Sequence, residues 1–155
     1  MAYTLIIDRL PPVFYPDGSD ISRTYEWKGG CEDPRVVAAN VKGKTLYVMT
    51  YTAWNNRTPR LAIATSTDLQ HWTKHGPALL NAYNGKFKDL ACKSGSIVTE
   101  VVNGKQVAAK VKVNGKKKYL MYWGEQWVCA ATSDDLVNWT PYVDENQNLV
   151  YLVTP

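Results

Sequence analysis

Three cysteines in 155 residues, Cys31, Cys92 and Cys129, are too few and too far apart for a disulfide framework or paired metal ligands. They read as small buried hydrophobes. The two histidines, His71 and His75, fall on a turn without partner ligands, so neither a metal site nor any cofactor is expected. No window sustains a 3.6-residue apolar period, which leaves helix a minor component. No apolar run approaches the length needed to cross a bilayer. Met1–Arg9 has no basic start and its apolar run breaks at Asp8, so no signal peptide is readable, and cytoplasmic and periplasmic locations both stay open. The net charge of +4 is modest. Its one concentration, Lys105 to Lys118, has no interleaved aromatics for bases to stack on, so neither nucleic acid nor membrane is an expected partner. Lysines there suit protection of a sheet edge.

What the chain does have is a repeat. Thr65-Ser66-Thr67-Asp68-Leu69-Gln70-His71-Trp72-Thr73 returns as Thr132-Ser133-Asp134-Asp135-Leu136-Val137-Asn138-Trp139-Thr140. Each copy follows an aromatic strand, Leu46–Tyr51 in one and Tyr119–Trp123 in the other. Units of ~40–50 residues made of several short strands mark propeller blades. The longer spacing here reflects an additional hairpin, Val101–Lys117, in the second copy, where it is placed to form an oligomer contact or a lid. Strands are expected at Val36–Val41, Thr45–Tyr51, Arg60–Thr65, Trp72–Lys74, Ser96–Val102, Gln106–Val113, Lys118–Trp123 and Val128–Thr132. Asn103-Gly104 and Asn114-Gly115 suit two-residue hairpin turns, whose central residues need positive φ. Asp68 and Asp135 belong in tight turns, bonding their own downstream backbone, with Trp72 and Trp139 capping each unit. The architecture expected is all-β: a partial β-propeller of about two full blades plus flanking strands, one domain over 1–155 with units at 30–80 and 92–145. Two blades do not close a propeller. A longer parent protein, or a second copy covering the raw edges as a homo-oligomer, would complete it.

Chemistry gathers at the strand ends. Asp33 lies between Glu32 and Pro34, and a residue before proline is steered to extended backbone, which places Asp33 at a strand entrance. On residue pattern alone, a turn aspartate paired with Arg35 is the competing reading. Glu125 follows Tyr122-Trp123-Gly124, and the neighbouring aromatics predict a low-dielectric surround suited to acid–base work; an ordinary surface acid is the alternative. Tyr51, Trp54, Trp123 and Trp127 crowd the same ends, with Lys93 expected to point into the same cavity. Aromatic walls that receive sugar C–H faces, set beside two carboxylates, point to carbohydrate.

Four segments carry a resemblance: Pro12–Asp17, Gly29-Gly30-Cys31-Glu32-Asp33-Pro34-Arg35, Lys93-Ser94-Gly95-Ser96-Ile97 and Met121-Tyr122-Trp123-Gly124-Glu125. Together they resemble glycoside hydrolase family 130, the β-mannoside phosphorylases and β-mannosidases on a five-bladed β-propeller. The resemblance implies that Asp33 is the general acid, relayed through a sugar hydroxyl, and that the anomeric centre inverts. It also implies sugar contacts for Arg35, Tyr51, Trp54, Lys93 and Trp123. Where the phosphorylases place a phosphate-binding arginine, this chain has Trp-Gly-Glu. An anionic Glu125 repels phosphate and suits a water-activating base, alone or with a second acid beyond Pro155. An inverting pair should stand ~6.5–9.5 Å apart. The reading is an inverting hydrolase of β-linked mannosides, a β-1,2-mannosidase by resemblance. A mannoside phosphorylase and an inactive or merely sugar-binding relic remain as alternatives.

Overall fold

The computed structural model describes residues 12–154; Met1–Arg9, read above for a leader, lies outside the described residues. After a short helical turn at Ser22–Glu26 comes a four-stranded antiparallel meander: β1 (Gly30–Val41), β2 (Lys44–Trp54), β3 (Pro59–Ser66) and β4 (Thr73–Pro77). After a short helical turn at Ala82–Gly85 come β5 (Gly95–Ile97), β6 (Thr99–Val102), β7 (Lys105–Ala108), β8 (Lys110–Val113), β9 (Lys116–Trp123), β10 (Val128–Ser133), β11 (Thr140–Pro141) and β12 (Tyr151–Val153). They make two sheets, ordered β4-β3-β2-β1-β7-β6 and β11-β10-β9-β5, with β8 also on β9 and β12 also on β10. Neither sheet closes on itself.

Period-two patterning explains how the sheets pack. Along β2, Val48 enters the larger core, whereas Met49, Tyr51 and Ala53 enter a second cluster on the opposite face. The larger core joins the sheets: Val48, Leu61 and Ile63 of the first meet Met121, Cys129, Ala131 and Trp139 of the second. The smaller one seats Phe14, Tyr25 and Trp72 on the far face of the first sheet. The central strand of that sheet is thus covered on both faces.

The repeated segment folds identically twice. Ser66 Oγ accepts the Asp68 and Leu69 amides at 3.1 and 2.8 Å, and Asp68 Oδ1 accepts those of Gln70 and His71 at 2.9 and 2.8 Å. Ser133 and Asp135 do the same for Asp135, Leu136, Val137 and Asn138 at 3.2, 2.8, 2.9 and 2.8 Å. Leu69 and Leu136 take φ of 66° and 68°. In each copy the tryptophan indole N–H donates to that leucine's carbonyl at 3.1 Å. The expectation of an aspartate-braced turn with a tryptophan cap therefore holds in both copies.

Two expectations need correction. Asp33 is not extended: its φ is 50°, and β1 and β2 slip register between Glu32 and Arg35. The bulge places an aspartate, one of the residues that tolerate left-handed backbone, at the slip, and this overrides the preference set by Pro34. Second, the single strands expected at Ser96–Val102 and Gln106–Val113 are each broken, at Val98 and Ala109. Val98 N–H donates to Leu120 at 2.8 Å and Ala109 N–H to Val98 at 2.9 Å, closing a neck. From that neck β6 and β7 leave the second unit and join the first sheet, with Val107 beside Ala38 in parallel. Buried Ala108 and Ala109 are small enough to let the backbones pass closely there. Residues of the expected second unit thus complete the first sheet. β12 doubles back on β10, pairing Tyr151 with Cys129.

Candidate functional site

The turn joining β9 to β10 carries Glu125. Gly124 has φ 140°, and a Cβ there would stand 1.8 Å from the Trp127 carbonyl oxygen, so the turn requires glycine. Its amide donates to the Lys93 carbonyl at 3.2 Å, binding the turn to the segment entering β5. A Cβ on Gly95 would lie 2.8 Å from Met121 Sδ, and its carbonyl accepts the Thr50 hydroxyl at 2.7 Å across the intersheet core. Lys-Ser-Gly and Trp-Gly-Glu are therefore one assembly. Lys93 Nζ stands 3.8 Å from Glu125 Oε1, with the two side chains 30% and 59% exposed. Glu125 is paired with Lys93, and its exposure leaves it in water rather than in the low-dielectric surround expected.

Two clefts share the Trp123–Trp127 turn. One, of about 260 Å³, is lined by Glu125 together with Arg35, Ser94, Ser96, Tyr122, Trp123 and Trp127. The other, of about 230 Å³, is lined by Glu125, Gln126, Trp127, Tyr151, Leu149 and the thiols of Cys92 and Cys129. Burial pushes Cys92 up to about 11, so it presents a neutral thiol. Arg35, Trp123 and Glu125 line one cleft, and Lys93 pairs with Glu125. Trp123 is 4% exposed and its indole nitrogen has no partner among the described residues. Asp33 stands on the exposed bulge two residues before Arg35 and is not part of the lining.

Tyr51 is a correction. It is 1% exposed, stacks edge-on to Phe14 with centroids 4.8 Å apart, and donates its hydroxyl to Glu26 Oε1 at 2.8 Å. Alternation along β2 turns it away from the intersheet face, so it is structural and contacts no sugar in the Glu125 cleft. Trp54 also serves the frame. Its ring presses on Gly29, where a Cβ would be 2.2 Å from Cδ1, and it pairs with Gly30 at the start of β1.

Sequence reasoning missed two groups. Ser96 and Tyr122 are cross-strand partners that line the cleft with Arg35. The signal for Tyr122 was its place between buried Met121 and Trp123, which turns it to the other face. The second group is a buried ion pair behind the Glu-Asp-Pro-Arg motif. Glu26 is fully buried and accepts from Ser22 Oγ at 2.6 Å, from Tyr51 and from Lys74, whose side chain is 6% exposed. Lys74 also donates to the Tyr15 carbonyl at 2.7 Å and lies 4.0 Å from Cys31 Sγ. Burial, then the Glu26 charge, pushes the Cys31 thiol up to about 12. No sequence pattern couples Glu26 with Lys74. Among the described residues no cluster of His, Cys, Asp or Glu is arranged to hold a metal, and no helix is long and apolar enough to cross a membrane.

Carboxylate, cations and half-exposed aromatics thus stand together on a repeated all-β scaffold. The chain belongs to glycoside hydrolase family 130: the family model described as β-1,4-mannooligosaccharide phosphorylase matches residues 15–153. It is 62% identical to a structure from work stating that this family of mannoside phosphorylases contains glycoside hydrolases that target β-1,2 mannosidic linkages in Candida mannan; the TM-score is 0.83, over 93% of this chain and 38% of that one. A glycosyl hydrolase from Bacteroides ovatus is 58% identical over the same shares with a TM-score of 0.83. A crystal structure from Parabacteroides distasonis ATCC 8503 is 54% identical over 94% of this chain and 39% of that one, with a TM-score of 0.84. No curated protein matches the chain. The fold is that of a partial β-propeller, and the chain spans under two-fifths of the length of these relatives.

Proposed function

We propose that this chain carries the Asp33–Glu125 part of an inverting β-mannoside-cleaving site on a five-bladed propeller, and that the site hydrolyses a β-1,2-mannosidic bond. The observation that supports hydrolysis is Glu125 itself. An exposed carboxylate with its counter-ion Lys93 at 3.8 Å is a group able to take a proton from water, and it occupies the cleft where phosphate would otherwise lie. Asp33, on its bulge beside Arg35, delivers the proton to the leaving oxygen through a sugar hydroxyl. Attack from the opposite face inverts the centre. Arg35 and Lys93 bind sugar hydroxyls, and Trp123 forms the floor beneath them.

The phosphorylase reading has an observation of its own: Arg35 and Lys93 both stand beside Glu125, a basic pair that inorganic phosphate could use. Product analysis of β-1,2-mannobiose by NMR, with and without phosphate, separates the readings. Mannose in equal amount under both conditions is expected; mannose 1-phosphate would transfer the assignment to phosphorolysis. No product in either case would leave a sugar-binding chain without turnover. In an active preparation Glu125→Gln abolishes hydrolysis. Asp33→Asn, which keeps a residue tolerant of φ 50°, loses turnover on the order of 10²–10⁴-fold without loss of folding.

A further inference from the structure

Charge is unevenly placed along this chain. Residues 105–118 hold six of its eighteen lysines and arginines and none of its fourteen acids. Five of the six lie on the hairpin of β8 and β9. Lys110 is opposite Tyr119, whose ring its ammonium overlies at 4.8 Å, and Lys112 is opposite Lys117. Strand alternation puts Lys110, Lys112 and Lys117 on one face of the hairpin, about 5 Å apart across it and about 7 Å along it. All three are exposed. Among the described residues only Lys118 of the six has an acidic partner, Asp134 at 2.9 Å. Like charges directly opposed destabilise a strand pair. Guarding a sheet edge needs charge there, and a glutamate opposite Lys112 would guard it while forming an ion pair. Edge protection therefore accounts for the exposure of these lysines but not for their apposition. An anion bridging the pair accounts for both.

The residue types select among anionic partners. Lysine is a compact point charge on a flexible stem, without the fixed fork that arginine offers a single carboxylate or phosphate. A row of lysines suits a polymer with charge repeated along it. Between Lys105 and Tyr119 there is no arginine, and the one aromatic ring, Tyr119, is 6% exposed. The anchors typical of a protein interface and the stacking platforms for bases are thus both lacking. From Lys110 to Tyr119 no large apolar side chain is exposed to enter a bilayer. We propose that the β8–β9 hairpin is a docking surface for an anionic polysaccharide, whose carboxylate or sulfate groups bridge Lys112 and Lys117 and extend to Lys110. The polymer is held by its charge, on residues that line neither cleft of the Trp123–Trp127 turn. The proposal is therefore independent of the bond cleaved at Glu125.

Titration of the chain with polygalacturonate, dextran sulfate and neutral dextran at low and high salt tests this. Polyglutamate and phosphatidylserine vesicles serve as competing polyanions. One variant combines Lys112→Gln with Lys117→Gln, and a second is Lys117→Glu alone. A control for net charge combines Lys44→Gln with Lys88→Gln, two exposed lysines outside the hairpin. The expected result is salt-screened binding of a charged polysaccharide and none of dextran. Affinity should fall on the order of tenfold in the hairpin pair and stay near wild type in the control pair. Lys117→Glu should weaken binding at least as much with Tm unchanged or raised, because an opposite-charge pair replaces a like-charge one. Binding is then lost without loss of the fold. No binding, no loss in the hairpin pair, or equal losses in both pairs would overturn the proposal. Tighter binding of polyglutamate or of the vesicles would also overturn it and transfer the surface to an acidic protein or a membrane. A Tm lowered by Lys117→Glu would overturn it at its premise.

Discussion

Glu26 shows how much a single residue beyond the motifs carries. Its carboxylate is fully buried and has three donors, Ser22, Tyr51 and Lys74. Removing one partner of such a pair strands the other charge in the interior, at about 3–5 kcal/mol. Glu26→Ala is therefore expected to lower the urea midpoint sharply. Glu26→Ala combined with Lys74→Met should recover much of the loss, because no uncompensated charge remains. An unaltered midpoint in the single variant would show that the pair contributes no net stability. At the same scale, Asp33 shows why neighbour rules fail locally. Pro34 favours extended backbone for it, but the register slip against β2 requires an extra residue at that point, and Asp33 meets the requirement at φ 50°.

At the scale of the element, the repeat lets one motif be tested in two settings. Asp68 and Asp135 each brace two downstream amides, but Trp139 is 1% exposed whereas Trp72 is only half-buried. Losing the brace costs about 1 kcal/mol for the hydrogen bonds alone. In the second copy it also loosens the turn above a buried indole. Asp135→Ala is expected to depress Tm by several degrees, on the scale of ~2–4 °C per kcal/mol for a chain of this size. Asp68→Ala should depress it less. Equal effects would mean that the caps beneath the turns do not differ in weight. The strands, both Asn-Gly turns and both braced turns were legible because each depends on residues within a few positions of one another. The path of β6 and β7 was not. Alternation and turn chemistry specify a hairpin but not which sheet edge receives it, and that choice depends on the exposed side of β1 and on the small residues at the neck.

For the whole molecule, acid is the informative variable. Hydrogen bonds from Ser19, then Ser22, with the Lys74 charge, hold Asp17 down from 3.8 to about 2. Asp68 and Asp144 are lowered too, Asp68 chiefly by bonds from His71 and Asp144 chiefly by bonds from Asn148. In Asp135, burial works against the lowering, but bonds from Asn138 and Val137 outweigh it. A carboxyl lowered in the folded state stabilises above its unfolded value, and that contribution is lost as pH falls through the folded value. Burial also lowers His75, whose ring bonds Thr65 Oγ1 at 2.8 Å; its contribution has the same sign and begins to fade below the ordinary 6.5. Tm should therefore decline gently below pH 6.5 and steeply between about 4 and 2, with His75→Gln removing the upper, gentle part. A profile flat down to pH 3 would contradict the carboxylate contribution.

The sequence by itself determined the all-β class, the doubled unit, the turn chemistry and the family, because period-two alternation and short-range turn bonds are written in neighbouring residues. It also marked Arg35, Lys93, Trp123 and Glu125 as companions through the family motifs. Tertiary structure alone decided that Tyr51 faces the Glu26 cluster rather than a sugar. It also decided that Glu125 is open to solvent beside Lys93, and that Trp127 meets Tyr151 across the turn. These are matters of which face meets which, and of where a strand from one unit finds an unpaired edge in another. Such contacts join residues far apart in the chain, and local sequence carries no term for them.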